Sequence, residues 1–191
     1  MKTTSAIFGL LLLLLAGCEP PVSIPQGVQV YFSPRGGATD AVVNALDRAT
    51  NSVLVQAYSF TSAPIARALV EARRRGVVVR VILDKSQRTE KYSEADFLRN
   101  EGIPTLIDAQ HTIAHNKVII LDAQVVLTGS FNFTKAAEEN NAENLLVIND
   151  PVLAGQYTKN WHAHEQHSED YERENKVEPQ AGRAKSLRKV E

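Results

Sequence analysis

Apolar and polar residues alternate with a period of two over residues 28–33, which predicts a strand, and the period lengthens to that of a helix over roughly 39–50. There Ala41, Val42, Ala45, Leu46 and Ala49 form one apolar face, and Thr39 or Asp40 is positioned to cap the first turn. A second strand is expected at 53–60. A helix at 63–75, opened by Pro64, and a near-continuous apolar run at 77–83 follow, the latter expected of a strand covered on both faces. The pattern continues with a helix at 94–100, a short strand at 105–107, and strands at 117–121 and 125–128 around the turn Asp122-Ala123-Gln124. A short helix at 134–139, a strand at 144–148 and a closing helix at 151–167 complete it, the last with Val152, Leu153, Tyr157 and Trp161 inward. Strand, helix, strand alternation implies the α/β class: a layered mixed β-sheet flanked by helices on both faces.

The two ends do not fit this pattern. Lys2 precedes an apolar run from Ile7 to Leu15, too short to span a bilayer comfortably and suited to an export signal over residues 1–17. Leu15-Ala16-Gly17-Cys18 resembles the lipobox of bacterial lipoproteins, which implies cleavage before Cys18, lipidation of its thiol and a membrane anchor. The alternative is an ordinary secretory signal with an incidental cysteine. Cys18 is the sole cysteine, so no disulfide framework is possible. Residues 18–27 read as a lipidated, Pro-rich tether, 28–167 as the catalytic domain, and 168–191 as a polar, disordered tail. A lipid-anchored, periplasm-facing lipoprotein of a bacterial envelope is the expectation, with Glu19 pointing toward the outer membrane.

Composition places the domain among ordinary soluble ones, with 43% hydrophobic and 23% charged residues. Removing residues 1–17 takes away Lys2 alone among 21 basic residues, leaving 20 against 22 acidic ones, so global charge selects no polyanion. Local charge says more. Residues 65–91 carry eight cations (Arg67, Arg73, Arg74, Arg75, Arg80, Lys85, Arg88 and Lys91) against Glu71, Asp84 and Glu90, which suits a nucleic-acid footprint. Arg73 to Arg75 also suit a solvated helix C-terminus before Gly76.

The chemistry concentrates at His115-Asn116-Lys117, Asp122 and Gly129-Ser130-Phe131-Asn132, with Asn141-Ala142-Glu143-Asn144 downstream. A neutral imidazole can attack phosphorus, and a lysine two residues on along a strand points to the same side, which makes a metal-free phosphodiester site. Asp122, beside a turn, is expected to be structural rather than a base. His111 and His115 are four apart in a segment without helical pattern and are not expected to bind zinc. His162, His164 and His167 are expected to be solvated helix surface, because no carboxylate or cysteine in a matching motif completes a metal set.

Written H-x-K-x4-D-x6-G-S-x-N, this run resembles the HKD signature of the phospholipase D superfamily, and from about Tyr31 to Asn149 the chain is similar to its small bacterial endonuclease branch. Tyr31-Phe32-Ser33-Pro34 and Gln56-Ala57-Tyr58-Ser59-Phe60 belong to that likeness. The resemblance implies a cofactor-free phosphodiesterase in which His115 forms a phosphohistidine, Lys117 neutralises phosphoryl oxygens, and Glu143 orients an imidazole. By the same resemblance Ser130 and Asn132 bind phosphate, and Asp122 and Gly129 are structural parts of the motif. One motif copy where the mechanism uses two implies a homodimer with a composite active site. A sequence-nonspecific endonuclease acting on DNA, and secondarily RNA, is the leading expectation. The alternative is a phospholipase D releasing phosphatidic acid, and a third reading is a binding protein on a degenerate scaffold.

Overall fold

The computed structural model describes residues 27–172. The leader with Cys18, nearly all of the tether and most of the polar tail lie outside the described residues. Among those described, no helix is long and apolar enough to cross a membrane.

Among the described residues eight strands form one mixed sheet: β1 (Val28–Ser33), β2 (Ser52–Ala57), β3 (Val78–Asp84), β4 (Thr105–Asp108), β5 (Lys117–Leu121), β6 (Val125–Gly129), β7 (Glu143–Asn149) and β8 (Glu169–Asp170). Their order across the sheet is β1-β7-β6-β5-β2-β3-β4-β8. The parallel part is β2, β3 and β4, joined by α2 (Ala63–Arg74) and α3 (Ala95–Asn100) as crossover helices. The antiparallel part is the β5–β6 hairpin with β7 and β1 beyond it, and β5 pairs antiparallel with β2 where the halves meet. Helix α1 (Ala38–Asp47) packs against α2 on one face, α4 (Lys135–Glu139) follows the β6 loop, and α5 (Pro151–Glu165) covers the other face.

Each face of the sheet has its own core, set by alternation along the strands. Val53, Val55, Val81, Leu83, Ile119 and Leu127 pack under α1 and α2 with Leu46, Leu69 and Phe133. Leu54, Ile82, Val118, Ile120 and Val126 pack under α5 with Ala154 and Trp161. Trp161 donates its indole N–H to the Val55 carbonyl at 2.9 Å, so its polar atom is satisfied inside the core.

Several boundaries differ from the sequence expectation for identifiable reasons. Helix α1 begins at Ala38 after Gly37 rather than with a Thr39 or Asp40 cap. Its first amides are taken by Glu138 of α4, which accepts from Gly37 N at 3.1 Å and Thr39 N at 2.7 Å. Strand β2 stops at Ala57, and Phe60 instead forms an isolated bridge with Phe133. Val152 is 72% exposed rather than inward, because the buried stripe of α5 runs through Ala154 and Trp161. The domain does not end at His167: β8 pairs with β4, and Tyr171 is buried with its hydroxyl on Asp96 at 3.1 Å.

Candidate active site

Strand register brings the motif to one end of the sheet. Ala57, the last residue of β2, pairs with Lys117, the first of β5, while Gly129 at the end of β6 pairs with Leu145 of β7. Glu143 opens β7, two residues before the buried Leu145 and therefore on the same face of the sheet. His115 lies two residues ahead of β5, exposed, with its ring 4.5 Å from that of Tyr58.

Lys117 is nearly enclosed. Its ammonium donates to the His115 carbonyl at 2.7 Å and lies 5.0 Å from the Tyr58 ring centre. Burial pushes the Lys117 ammonium below its ordinary range, and the neighbouring Glu143 carboxylate pulls it partly back up. Glu143 accepts from Asn141 Nδ2 at 3.2 Å, while its own amide donates to Ser33 Oγ at 3.2 Å. The arrangement is a desolvated cation and a carboxylate behind an exposed imidazole.

The Gly-Ser-Phe-Asn segment approaches β7 closely. A Cβ on Gly129 would lie 2.2 Å from the Asn144 carbonyl oxygen, so only glycine fits there. Ser130 is exposed, and its Oγ accepts from Asn144 N at 3.1 Å. Asn132 Oδ1 is buried without a hydrogen-bond partner. Phe131 and Phe133 between and beyond them are fully buried and fix the segment to the core.

Asp122 stands at the opposite end of β5 and takes no part in this cluster. Its carboxylate accepts from Thr50 N at 2.9 Å, Asn51 N at 2.7 Å and Ser52 N at 2.8 Å, tying the β5–β6 turn to the α1–β2 turn. Burial raises its carboxyl, but the three amides and the Thr50 hydroxyl outweigh that and hold it below the ordinary carboxylate range. Its partners are some 70 residues away rather than in its own turn. A cavity of about 600 Å³ lined by Asp122, Arg48 and Asn149 also lies at this far end.

Two sequence expectations need correction. The basic residues of 65–91 do not form one free face: Arg75 donates to the Leu46 carbonyl, Arg74 pairs with Glu71 and Glu101, Arg88 with Glu169, and Arg80 with Glu165. Lys85 donates to the His111 carbonyl. Three of the eight cations thus meet carboxylates and at least two more donate to carbonyls within the fold. Second, His164 and His167 are not simply solvated helix surface. Both face Asp108, a fully buried carboxylate at the end of β4 that the spacing of the histidines could not reveal.

Residues that sequence reasoning did not single out complete the frame. Tyr58, just past the end of β2, lies against both His115 and Lys117. Asp84 accepts from Ala114 N at 2.7 Å and Ser86 N at 2.9 Å, holding the approach to His115 against β3.

The chain matches the family model described as cardiolipin synthase, PLD-like domain, over residues 42–164. Phospholipase D of Rickettsia felis is 46% identical over 134 residues, covering 70% of this chain and 67% of the relative. Mitochondrial cardiolipin hydrolase of Xenopus laevis is 37% identical over 111 residues, covering 58% of this chain and 53% of the relative. Among solved structures, a phospholipase D family member, Nuc from Salmonella typhimurium, superposes with a TM-score of 0.73 at 45% identity, covering 75% of this chain and 97% of that one. NucT from Helicobacter pylori superposes with a TM-score of 0.69 at 26% identity, covering 75% and 98%.

Proposed function

We propose, from the premise that this chain belongs to the phospholipase D superfamily in its single-motif bacterial branch and is a phosphodiester hydrolase, that it is a sequence-nonspecific endonuclease acting on DNA, with RNA as a second substrate. The observation that carries this reading is the exposure of His115 and Ser130 at the surface of the single chain, backed by the desolvated Lys117. A phosphate in the middle of a long polymer can reach such a surface without being threaded into a cavity. Contacts to phosphate carry little sequence information, so low specificity follows.

In the proposed reaction His115 attacks phosphorus, and a protonated His115 of the partner subunit gives its proton to the departing oxygen as the P–O bond breaks. Water then attacks the phosphohistidine, its proton passing to the same partner imidazole, and the P–N bond breaks. Lys117, Ser130 and Asn132 would hold the non-bridging oxygens, and Glu143 would orient the imidazole. A single imidazole cannot be nucleophile and acid in one step, so a homodimer with a composite site is part of the proposal. Two imidazoles of opposite protonation give a bell-shaped pH profile, and a flat one across about pH 5–9 would contradict the mechanism. Lipidation of Cys18 would hold the enzyme at a bacterial membrane, facing the periplasm.

The test is hydrolysis of labelled DNA and, separately, of phospholipid vesicles in excess EDTA, with H115N as control. DNA cleavage lost in H115N supports the nuclease. Phosphatidic acid release with intact DNA would make it a phospholipase D instead. That second reading is favoured by Ile113, 54% exposed two residues before His115, where an apolar side chain could meet a bilayer.

A further inference from the structure

Away from the motif, four side chains from three parts of the chain converge at the edge of the sheet. Asp108 ends β4, His111 follows in the loop toward β5, His164 is in the last turn of α5, and His167 lies just beyond it. One donor atom from each can be chosen so that all four lie within 4.8 Å of one another. His164 Nδ1 is 2.8 Å, His111 Nδ1 3.0 Å and His167 Nε2 3.3 Å from the same oxygen, Asp108 Oδ2. The ring centres of the three imidazoles are 4.9–5.3 Å apart.

As a purely hydrogen-bonded arrangement this is poorly matched. One fully buried carboxylate cannot neutralise three imidazolium ions, and three neutral imidazoles, each with its proton on the facing nitrogen, compete for the lone pairs of one oxygen. His167 Nε2 shows the mismatch directly: it is buried and faces the carboxylate, yet makes no hydrogen bond. Three imidazole nitrogens gathered around one carboxylate oxygen are a donor set for a divalent cation. With metal–ligand distances of about 2.0 Å, a tetrahedral ion places its donors about 3.3 Å apart. The present donor atoms lie within 4.8 Å of one another, so binding would draw them closer together.

We propose that Asp108, His111, His164 and His167 bind one zinc ion in a closed, four-ligand structural site. Nitrogen-rich tetrahedral ligation selects zinc over calcium or magnesium, which take oxygen ligands. The ion would fasten the end of α5 to β4 and to the loop that runs on to His115. It has no part in the phosphodiester chemistry, so the proposal stands or falls apart from the nuclease reading.

The full chain, stripped with EDTA and dialysed, is titrated with zinc chloride against a chromophoric chelator, and its melting temperature is followed. One equivalent bound with Kd below about 1 μM is expected, with melting raised by about 5–10 °C at hundredfold excess over Kd. Cobalt in place of zinc should give the intense visible absorption of a tetrahedral ion. H111Q/H167Q should lose the bound equivalent and the thermal shift, while H162Q, whose imidazole instead meets Glu165 at 2.9 Å, should keep both. Should the double variant fail to fold, H111Q alone decides, since His111 is half exposed. Absence of zinc binding at micromolar concentrations, or binding undiminished by loss of His111, would overturn the assignment.

Discussion

Replacing Asp122 by alanine removes a carboxylate that three backbone amides and the Thr50 hydroxyl share. A hydrogen bond to a charged group contributes about 1.5–3 kcal/mol, but Thr50 and Asn51 are exposed and water takes over part of their loss. Summed with that discount, the amides account for roughly 2–4 kcal/mol. Asp122 also sits at φ 53°, a left-handed conformation that aspartate tolerates better than alanine, which adds to the loss. For a domain of this size the expected fall in melting temperature is about 6–12 °C. D122N keeps the backbone preference and one acceptor oxygen, and should fall by about half as much. Because the folded carboxyl titrates below its unfolded value of about 3.9, the stabilisation is complete above that value and is lost as pH drops through the folded value. The gap between wild type and D122N should therefore close in acid. Activity well below the transition should be unchanged, since Asp122, just past the end of β5, is about 17 Å along the strand from Lys117. Differential scanning calorimetry over a pH series, with hydrolysis rates on the same samples, checks all of this. A D122A variant that melts with wild type, or that loses turnover while folded, would refute the structural role.

E143Q should lower kcat by about 10²-fold at constant melting temperature. It also removes the charge that pulls the Lys117 ammonium up, so the alkaline limb of its pH–rate profile should move to lower pH. G129A should cost about 2–4 kcal/mol in denaturant unfolding and abolish hydrolysis, because its Cβ would strike the Asn144 carbonyl and push β6 from β7.

The residues visible in the sequence were those whose partners are close along the chain or imposed by strand period. Alternation at 28–33 and the apolar run in β3 located strands, although burial in β1 departs from the alternation, with Phe32 exposed and Ser33 buried. The motif was legible because His115 and Lys117 share a segment, and Ser130 and Asn132 another. Asp108 and His164 were not, since 56 residues separate them and only the fold of α5 over β4 brings them within 2.8 Å. Glu138 was likewise invisible as the cap of α1, because local sequence offered Thr39 and Asp40 for that role. The Arg75 guanidinium counted toward a basic surface until its acceptors proved to be the carbonyls of Leu46 and Ala49, at and just past the end of α1.

Strands β1 and β8 form the two outer edges of the sheet, one at each end of the described chain. Eight strands at about 4.8 Å spacing separate those edges by roughly 34 Å. A segment running along the sheet between those two edge strands would need about ten extended residues. The same separation suits a pair of fluorescent labels, one beside each edge strand, whose energy transfer would report opening of the whole sheet instead of fraying at one side.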